Sequence, residues 1–590
     1  MENSLRADSR MISRLFLRLL PVQILLALIG AVNGMISGTL ASNYIGSAAM
    51  SAIGLFGPLN MVITVISTVM LGGSQILCGK FMGRGQRDRT QDLFSLVMAS
   101  TLVVGAVLTA VFLTLSTPLA NLLGANDETR THLSQYIVGS GVGVIPMILG
   151  QQAAGFLTLE NGRRRTSAAS IVYVAVNAGL NFLFVGPLRL EAFGLALGNS
   201  LGYWVFLAIL LQYYLTKKAV LKLRLTRMRW GDLLEVVKIG MPGALTNAYQ
   251  VVRGFLFNSI LLSALGNDAI AAFTAFNTVG GIAWAMPAGV IAVGRLLVSV
   301  AVGEEDRQSL KDIMRTALLK GCGLVALVYL VLTVLAVPLT ELFYHDPAAP
   351  VYRLTVAVFR TYSLSMVLST AVVLFINCAQ AVGRPVLVQL LALGDGLVNI
   401  VVFCWLFVPV LGIYGATLSN VYNGLVNLAI VAVFSWVVNR RFPRSMDDLL
   451  ALKPGFGVPP DRRMDLTLHR REEAVLTARK VQEFCQAHHV EPRRGYFAGL
   501  CMEEMAVNVL DHGFEKDRKK HTVDVRVVLK DEELILRLKD DCVPFDPEER
   551  RVMAVPEDPV KNVGIRLVYG IARDVTYQNM LGLNVLTIQV

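Results

Sequence analysis

The segment Ile45-Gly-Ser-Ala-Ala-Met-Ser-Ala52 returns later in the chain as Leu265-Gly-Asn-Asp-Ala-Ile-Ala-Ala272. A second pair of segments, Gly194-Leu-Ala-Leu-Gly-Asn199 and Gly415-Ala-Thr-Leu-Ser-Asn420, has almost the same separation along the sequence. Both pairs read in the same direction. The sequence therefore predicts a large unit that has been duplicated in parallel orientation. We call the correspondence that places Ile45 on Leu265 the repeat alignment.

Charge is distributed unevenly between the duplicated region and the rest of the chain. The 590 residues are 54% hydrophobic and 16% charged, with a mean hydropathy of +0.56 and a formal net charge of +11. Soluble domains usually carry about 25% charged residues. Residues 1–445 have a net charge of +14, whereas residues 446–590 have 22 Lys and Arg against 25 Asp and Glu, a net charge of −3. This composition predicts an integral membrane region followed by a soluble domain, and it excludes an ordinary soluble enzyme.

Apolar stretches of about 20 residues, the length that crosses a bilayer as a helix, recur through the first part of the chain. Roughly twelve are present, near 19–41, 50–77, 93–117, 134–158, 167–187, 192–215, 239–264, 270–299, 316–339, 357–380, 386–409 and 412–438. Lys and Arg concentrate at the N-terminus and in alternate connections, among them Lys80–Arg89, Arg163–Arg165, Lys217–Arg229 and Arg307–Arg315. The positive-inside rule then predicts that both termini lie in the cytoplasm. We expect a multi-pass protein of the cell membrane, a bacterial plasma membrane.

The repeat and the apolar stretches divide the chain into four parts. We predict a first six-helix lobe at 1–220, a second at 221–445, a linker at 446–464 and a soluble domain at 465–590. The linker prediction rests on Lys453-Pro-Gly-Phe-Gly-Val-Pro-Pro460, whose prolines and glycines interrupt helices. Two like bundles around a midplane cavity are a common plan of transporters. A channel or a membrane-embedded enzyme can also be duplicated, so the repeat favours transport without excluding either.

The paired motifs of the first two spans, the turn Asn161-Gly-Arg163 before the fifth span and Gly194-Leu-Ala at the start of the sixth resemble the multidrug and toxic compound extrusion (MATE) family. The resemblance covers about residues 12–440. It implies an antiporter, coupled to H⁺ or Na⁺, whose two six-helix lobes rock to expel small organic compounds such as amphipathic cations. Members often carry an Asp in the first span, where this chain has Ser37, and an acidic residue near the position of Arg253.

Four polar residues within the spans are our candidates for transport or ion coupling: Ser37, Asn181, Arg253 and Asp395. Ionisable side chains in a bilayer are costly and often functional. Arg253 and Asp395 lie in the middle of spans seven and eleven, so one hypothesis is an ion pair that gates the second lobe. The alternative is a structural pair that locks two helices, and asparagines such as Asn181 are more often interhelical hydrogen-bond partners than ligands. We expect Arg295 and Arg360, nearer the predicted span ends, to extend to the membrane interface.

The soluble region alternates helical and strand patterns. The patterns predict helices at about 470–489, 493–512 and 562–573. They predict strands at His521–Lys530 and Leu534–Leu538, which form a β-hairpin, and at Asn584–Val590. The expected fold is an α/β sandwich with helices on one face of a mixed sheet. The whole chain is thus predicted to be a polytopic α-helical membrane protein, with twelve helices in two lobes and a C-terminal α/β sandwich.

The second helix of this domain carries polar residues at helical spacing. Glu504, Asn508 and Asp511 follow at i, i+4 and i+7, which places all three on one face of an α-helix. A carboxylate there can act as a base, and an Asn oxygen suits a hard cation such as Mg²⁺. The spacing alone is weak, because the solvated polar face of any long helix can produce it.

Four ordered segments give this helix a context: Glu504–Gly513, Asp540–Pro547, Asn562–Val568 and Asn584–Thr587. Together they resemble the histidine-kinase-like ATPase fold of the GHKL (Bergerat) type over about residues 465–590, and are most similar to serine kinases that act as anti-sigma factors. The resemblance implies ATP and Mg²⁺ as cofactors. It makes Glu504 the general base and Asn508 the Mg²⁺ ligand. It also implies four further ATP contacts: Asp540 to the adenine amino group, Thr587 to adenine, Gly564 through its backbone to phosphate, and Asp511.

Two departures from this family's pattern bear on turnover. Cys542 and Asn562 stand where relatives have glycine, which favours ATP binding over phosphoryl transfer. A Gly-x-x-x-x-Gly-Lys-Ser/Thr segment does not occur in the sequence, so a P-loop pump is excluded. The slightly acidic soluble domain also argues against a nucleic-acid partner.

Two functions from different classes remain open. The first is an ion-coupled efflux antiporter, embedded in membrane lipid, with a cytoplasmic ATP-binding domain that regulates it. The second is a membrane-tethered protein-serine kinase, an anti-sigma-like switch whose transporter half senses a ligand and whose partner is a small STAS-like (anti-sigma-antagonist) protein. The presence of both Glu504 and Asn508 keeps the second function open.

Overall fold

The computed structural model describes residues 10–45, 52–160, 162–216, 219, 221–224, 228–453, 455–514, 521–530, 532–548 and 563–590. Twelve helices in this described part are long and apolar enough to cross a membrane. We number them spans 1 to 12, and their bounds are Met11–Ser37, Gly57–Gly83, Arg87–Thr114, Thr129–Leu159, Arg163–Val185, Glu191–Tyr214, Trp230–Leu265, Ala285–Gly303, Arg307–Val334, Pro350–Val382, Pro385–Leu411 and Ile413–Asn439. Spans 1–6 form the first half of the membrane region and spans 7–12 the second.

Some of these helices extend beyond the membrane spans, and three spans contain an irregular turn. Span 1 is part of the helix Arg10–Tyr44, and span 4 is part of Asp127–Leu159. Spans 9, 10 and 11 each contain a turn of different pitch, at Ala317–Gly321 (π-helical), Tyr362–Leu364 (3₁₀) and Gly394–Val398 (π-helical). Short helices lie at Ser116–Leu122, Asn267–Ala283, Ala336–Glu341 and Met446–Leu449.

The predicted eighth span, 270–299, is in fact two helices. The first is Asn267–Ala283 and the second is Ala285–Gly303, which continues past the predicted end. Pro287 has no N–H to donate to the carbonyl oxygen of Ala283, one turn earlier, so the α-helical hydrogen bonding is interrupted there. The shift matters for function, because it moves the residues after 290 away from a helix end and into a helix middle.

Glycines bring the two halves into backbone contact. Span 2 of the first half packs against spans 7 and 8 of the second. A Cβ atom on Gly73 would overlap the backbone of span 7, and one on Gly240 would overlap the backbone of span 2. The last residues of spans 2 and 8, Gly83 and Gly303, pack against each other's helices in the same way. The halves are therefore closed together where spans 2 and 8 finish, which we call the closed end.

The C-terminal domain is a five-stranded sheet with helices on one face. Its strands are β1 (Arg463–Leu468), β2 (Val523–Lys530), β3 (Glu533–Asp540), β4 (Asp574–Met580) and β5 (Leu583–Gln589), in the spatial order β1-β2-β3-β5-β4. Its helices are α1 (Glu472–Ala487), α2 (Pro492–Asn508) and α3 (Val563–Ile571). All four pairings between these strands are antiparallel, so the prediction of a mixed sheet was wrong. The unpredicted strands β1 and β4 both add to the sheet antiparallel to their neighbours.

Alternation along the strands gives the sheet two different faces. Val523, Val525 and Val527 of β2 are buried against the helices, as are Leu536 and Leu538 of β3. The opposite face of the sheet carries five cations, one from β1 and two each from β2 and β3: Arg463, Arg526, Lys530, Arg537 and Lys539. We call these five residues the basic face.

The basic face docks on the turn Glu304-Glu305-Asp306 between spans 8 and 9, which we call the acidic turn. The two lysines of the basic face bind its two glutamates, with 2.5 and 2.6 Å between Nζ and the nearest carboxylate oxygen. Asp306 pairs with both Arg526 and Arg463, and its side chain is only 1% exposed. Burial alone would raise the pKa of Asp306, but the charges of Arg526, Lys539 and Arg463 hold that pKa well below its usual range.

The same domain also contacts the first half at the closed end. β4 and β5 are joined by Leu581-Gly582, whose φ angles of 55° and 84° are the left-handed values of a two-residue hairpin turn. The Leu581 N–H donates to the carbonyl oxygen of Leu159, at the end of span 4, over 2.9 Å. The Leu581 side chain is buried in the apolar core of the membrane region. The C-terminal domain therefore bridges both halves of the membrane region.

We predict that Gly240→Ala loosens the contact between the halves, because the added methyl group overlaps the backbone of span 2. Gly254→Ala in the same helix is the matched control, since a Cβ atom there meets nothing within 4 Å. Overpacking of this kind costs about 1–3 kcal/mol, so the melting temperature in detergent should fall for the first variant only. Equal melting temperatures for the two variants would contradict the backbone contact.

Candidate functional site

The C-terminal domain has a pocket between its helices and the ends of β3 and β5. Asp540 lies there with 5% of its surface exposed, and its Oδ1 accepts hydrogen bonds from the Asn584 side-chain amide at 2.7 Å and the Cys542 N–H at 3.0 Å. Burial raises the pKa of Asp540, and these hydrogen bonds partly oppose the rise. The carboxyl group is thus a fixed acceptor beside apolar walls, which include Met505 and Leu586. Such an acceptor suits an adenine amino group.

The helix α2 brings two of the predicted residues to this pocket region. Asn508 lines the pocket, and Glu504 lies one turn earlier on the same helix. A Cβ atom on Gly564 would overlap the Glu504 carboxylate, so the first turn of α3 packs directly against that group. The first turn of a helix presents N–H groups that can bind phosphate. The structure therefore brings Glu504, Asn508 and Gly564 into one region, and the roles that the resemblance implies for them stay predictions.

Asp511 does not join them, so its predicted place on the same helix face was wrong. The helix widens at Val509–Gly513 into a π-helical turn, which takes one more residue per turn and rotates the residues that follow. Asp511 instead pairs with Arg471, 3.4 Å from carboxylate oxygen to guanidinium nitrogen. His512 takes its place in the pocket wall.

Thr587 was also assigned to the wrong face of the sheet. It pairs with Arg537 in the β3–β5 register, and its hydroxyl accepts a hydrogen bond from the Arg537 Nε–H at 3.3 Å. Because side chains alternate along a strand, Thr587 points away from the pocket while Asn584, earlier in the same strand, faces Asp540. Of the two departures from the family pattern, Cys542 lines the pocket and Asn562 lies outside the described residues.

The membrane region has a central cavity of about 740 Å³, lined mainly by the first half and by span 8. Ser37 lies in its wall and accepts a hydrogen bond from Asn199 over 3.2 Å. Behind the wall, the Asn199 side-chain oxygen accepts from Asn177 at 2.8 Å and from Asn181 at 2.7 Å. Asn181 is fully buried, so it holds spans 5 and 6 together and does not reach the cavity.

Arg253 and Asp395 are adjacent, but not as the ion pair that we hypothesised. Arg253 donates to the backbone carbonyl oxygen of Asp395 at 3.2 Å, and no ion pair forms between their side chains, both of which the structure describes. The Asp395 carboxylate instead accepts from the Asn423 side-chain amide at 2.8 Å. The carbonyl is reachable because Asp395 lies in the π-helical turn of span 11.

Arg295 is a residue of the cavity that the sequence analysis misplaced. It was expected to extend to the membrane interface, but it lies in the middle of span 8 and lines the cavity. The repeat alignment relates Arg295 to Gln75, which also lines the cavity. Gln75 itself lies near the predicted end of its span at 50–77, so the alignment alone does not place either residue in the cavity. The misplacement follows from the wrong bounds predicted for span 8.

Two family models match the chain. The MatE model matches residues 23–184 and 242–406, more than half of the chain. The histidine kinase-like ATPase domain model matches residues 469–590. Both matches confirm the resemblances stated from the sequence.

Similar proteins include three bacterial transporters. The probable multidrug resistance protein NorM of Neisseria meningitidis is 24% identical over 371 residues, which cover 60% of this chain and 77% of NorM. The multidrug export protein MepA of Staphylococcus saprophyticus is 26% identical over 258 residues, 42% of this chain and 56% of MepA. The FAD transporter of Shewanella oneidensis is 22% identical over 321 residues, 53% of this chain and 70% of that protein.

Solved structures share the fold of the membrane region. The outward-facing structure of a multidrug resistance MATE family transporter of the MOP superfamily has a TM-score of 0.67 at 19% identity and covers 75% of this chain and 97% of its own. A MOP superfamily transporter from Pyrococcus furiosus has a TM-score of 0.65 at 19% identity, over 73% of this chain and 97% of its own. The chain therefore belongs to the MATE family of multidrug efflux transporters, and it carries a histidine kinase-like ATPase domain, which implies ATP binding, on its C-terminal side.

Proposed function

We propose that the protein is an antiporter, coupled to H⁺ or Na⁺, that expels small organic compounds across a bacterial plasma membrane and is regulated by its ATP-binding domain. The proposal rests on the bridge between both halves at the closed end. The ATPase domain contacts the acidic turn of the second half and the Leu159 carbonyl of the first. The basic residues near that end, among them Arg84 and Arg163–Arg165, favour a cytoplasmic location for it and for both termini.

The acidic turn differs from its repeat copy in a way that supports this contact. In the repeat alignment, Arg84-Gly85-Gln86 of the first half corresponds to Glu304-Glu305-Asp306 of the second. A basic turn is the ordinary composition on the cytoplasmic side of a membrane protein. The second copy has the opposite charge at the place where the basic face of the ATPase domain docks. Its composition is therefore explained by the partner domain and not by membrane topology.

Regulation follows from the position of the bridge. Alternating access requires the halves of a two-lobed transporter to part at each end in turn. The closed end cannot open while the ATPase domain holds both the Leu159 carbonyl and the acidic turn. On β3, Lys539 faces the acidic turn, whereas Leu538 and Asp540 face the nucleotide pocket. A nucleotide that displaces β3 would therefore break the bridge and allow the halves to part.

We assign ion coupling to Asp395 and a positioning role to Arg253. We propose that Ser37 contributes to the cavity wall, where Asn181 orients it through Asn199. Asp395 is 4% exposed in a π-helical turn, a feature that is frequent at functional sites. Its carboxylate has an amide and not a cation as its hydrogen-bond partner, so it can exchange a proton or Na⁺ without breaking an ion pair. Arg253 fixes the turn through the backbone carbonyl.

In the ATPase domain, we assign Asp540 to adenine, Asn508 to Mg²⁺ and Gly564 to phosphate. One observation favours a second function, protein-serine phosphorylation: the Glu504 carboxylate lies against the first turn of α3, where it would accept the proton of a serine hydroxyl group. The acceptor in that case would be a small STAS-like protein. Phosphate transfer from labelled ATP to such a protein, lost in Glu504→Gln, would support this second function.

We predict that Asp540→Asn lowers the affinity of the full chain for labelled ATP with Mg²⁺ by about 10- to 100-fold, the effect of losing a charged hydrogen-bond acceptor. Thr587→Val is the matched control, because its side chain lies on the opposite face of the same sheet. Its affinity for ATP should equal that of the unmodified protein. A loss in Thr587→Val as large as in Asp540→Asn would contradict the placement of the pocket.

We predict that Glu304→Lys and Lys539→Glu each abolish the effect of ATP on transport, because each leaves a charge beside like charges in a buried contact. Breaking one partner of a buried pair costs about 3–5 kcal/mol. Efflux of carboxyfluorescein and of ethidium from vesicles, with and without ATP on the side of the ATPase domain, measures the effect.

The double variant Glu304→Lys/Lys539→Glu restores the pair and should regain part of the ATP dependence. Asp268→Asn, which changes an exposed carboxylate in the first turn of the helix Asn267–Ala283, is the control that should behave like the unmodified protein. ATP dependence that persists in both single variants would show that the contact does not regulate transport.

We predict that Asp395→Asn removes the dependence of transport on the imposed proton or sodium gradient, since an amide cannot exchange either ion. Asp268→Asn again serves as the control. Transport rates are measured in vesicles at several pH values and sodium concentrations. Rates in Asp395→Asn that respond to both gradients as before would exclude Asp395 from coupling.

A further inference from the structure

The central cavity carries a single type of charge. Among the described residues that line it, Arg295 is the one charged side chain. Asp395 is not part of the lining. An organic cation that enters this cavity meets no counter-charge, whereas an organic anion meets a guanidinium group.

Arg295 lies where the cavity adjoins a smaller recess of about 200 Å³. The Arg295 Nε is buried and has no hydrogen-bond partner among the described residues. Ser67 and Gln151 share the recess, and the Ser67 hydroxyl donates to the Gln151 side-chain oxygen. The Gln151 amide N–H groups are then the groups that it can offer to a ligand. The recess thus combines a guanidinium group with neutral donors.

The Arg295 guanidinium group lines the cavity with its Nε buried and unpartnered among the described residues, so its charge is costly to leave uncompensated. This charge is present only in the second copy of the repeat. Gln75, the counterpart of Arg295 in the repeat alignment, is an uncharged amide. The charge is therefore not required by the helix contacts that the two copies share. A ligand that brings a negative charge would compensate it.

The rest of the cavity suits the apolar part of a small organic molecule. Its volume of about 740 Å³ lies within the usual range of ligand pockets. Four aromatic residues line it: Phe56, Tyr136, Tyr203 and Phe206. The rings of Phe56 and Tyr136 meet edge to face, with 5.1 Å between their centroids. We call these four lining residues the aromatic wall, because they offer apolar surface to the body of a ligand in the same cavity as the guanidinium group.

We propose that the central cavity binds small organic anions, and that Arg295 recognises their carboxylate or phosphate group. Arginine forms two parallel hydrogen bonds with such groups, a geometry that lysine cannot reproduce. The aromatic wall holds the apolar body of the same molecule. This inference rests on the proposed transport function and narrows its substrate class.

The test uses the full chain in vesicles of phosphatidylcholine, which contain no anionic lipid to occupy the recess. The probes are carboxyfluorescein, methylumbelliferyl phosphate and the cation ethidium, each under imposed proton and sodium gradients. We expect transport of at least one of the two anions, reduced at least tenfold in Arg295→Gln. Arg295→Lys keeps the charge but not the paired hydrogen bonds, so it should raise KM with less effect on kcat. Arg360→Gln, an exposed arginine in span 10, is the control and should transport the anion normally.

Each other outcome overturns the inference. Anion transport that is undiminished in both Arg295→Gln and Arg295→Lys would remove Arg295 from recognition. Transport of ethidium in preference to both anions, unchanged in Arg295→Gln, would refute the substrate class and leave the transport function intact. Movement of no probe under either gradient would contradict the transport function itself, and this inference with it.

Discussion

The buried ion pairs between the acidic turn and the basic face are the interaction on which the arrangement of this protein depends. They join a soluble domain to the second half of a membrane domain, and the hairpin turn at Leu581 completes the bridge to the first half. Asp306 has a pKa below that of an unfolded chain, so its contribution to stability is present above the unfolded value and is lost only under strongly acidic conditions. A change of pH in the physiological range therefore does not release the contact. In the regulation that we propose, nucleotide binding releases it, since the nucleotide pocket lies on the opposite face of β3.

A single strand thus serves two partners. In β3, alternate residues face the membrane domain and the nucleotide pocket, because a strand presents successive side chains to opposite faces. Arg537 and Lys539 belong to one set, Leu538 and Asp540 to the other. Only the sheet itself separates the two sets of side chains. Close-packed protein interiors have low compressibility and transmit strain. In the regulation that we propose, this geometry lets ATP binding act on the contact without hydrolysis.

The sequence predicted features that follow from local periodicity and missed those that depend on a change of helical pitch or on tertiary partners. Apolar length predicted the twelve spans, and the ordered motifs predicted the ATPase fold. Asn508 and Asp540 lie in one pocket, and their roles stay predictions. Asp511 was misplaced because a π-helical turn rotated it, and Arg295 because the bounds predicted for span 8 were wrong. The face of the sheet on which Thr587 lies could have been predicted from strand alternation alone. The strand β1 was missed because its partner β2 follows only after both α1 and α2, so no local pattern links the two strands.

In the regulation that we propose, the ATPase domain holds the two halves together at the closed end, and nucleotide binding releases them. Spin labels at Arg164→Cys and Arg315→Cys, exposed positions in spans 5 and 9, report the distance between the halves near the closed end. In the full chain we expect a non-hydrolysable ATP analogue to move the distance distribution towards longer values, and Glu304→Lys to give the longer distances without nucleotide. Distributions that are identical with and without nucleotide, and unaffected by Glu304→Lys, would contradict the account.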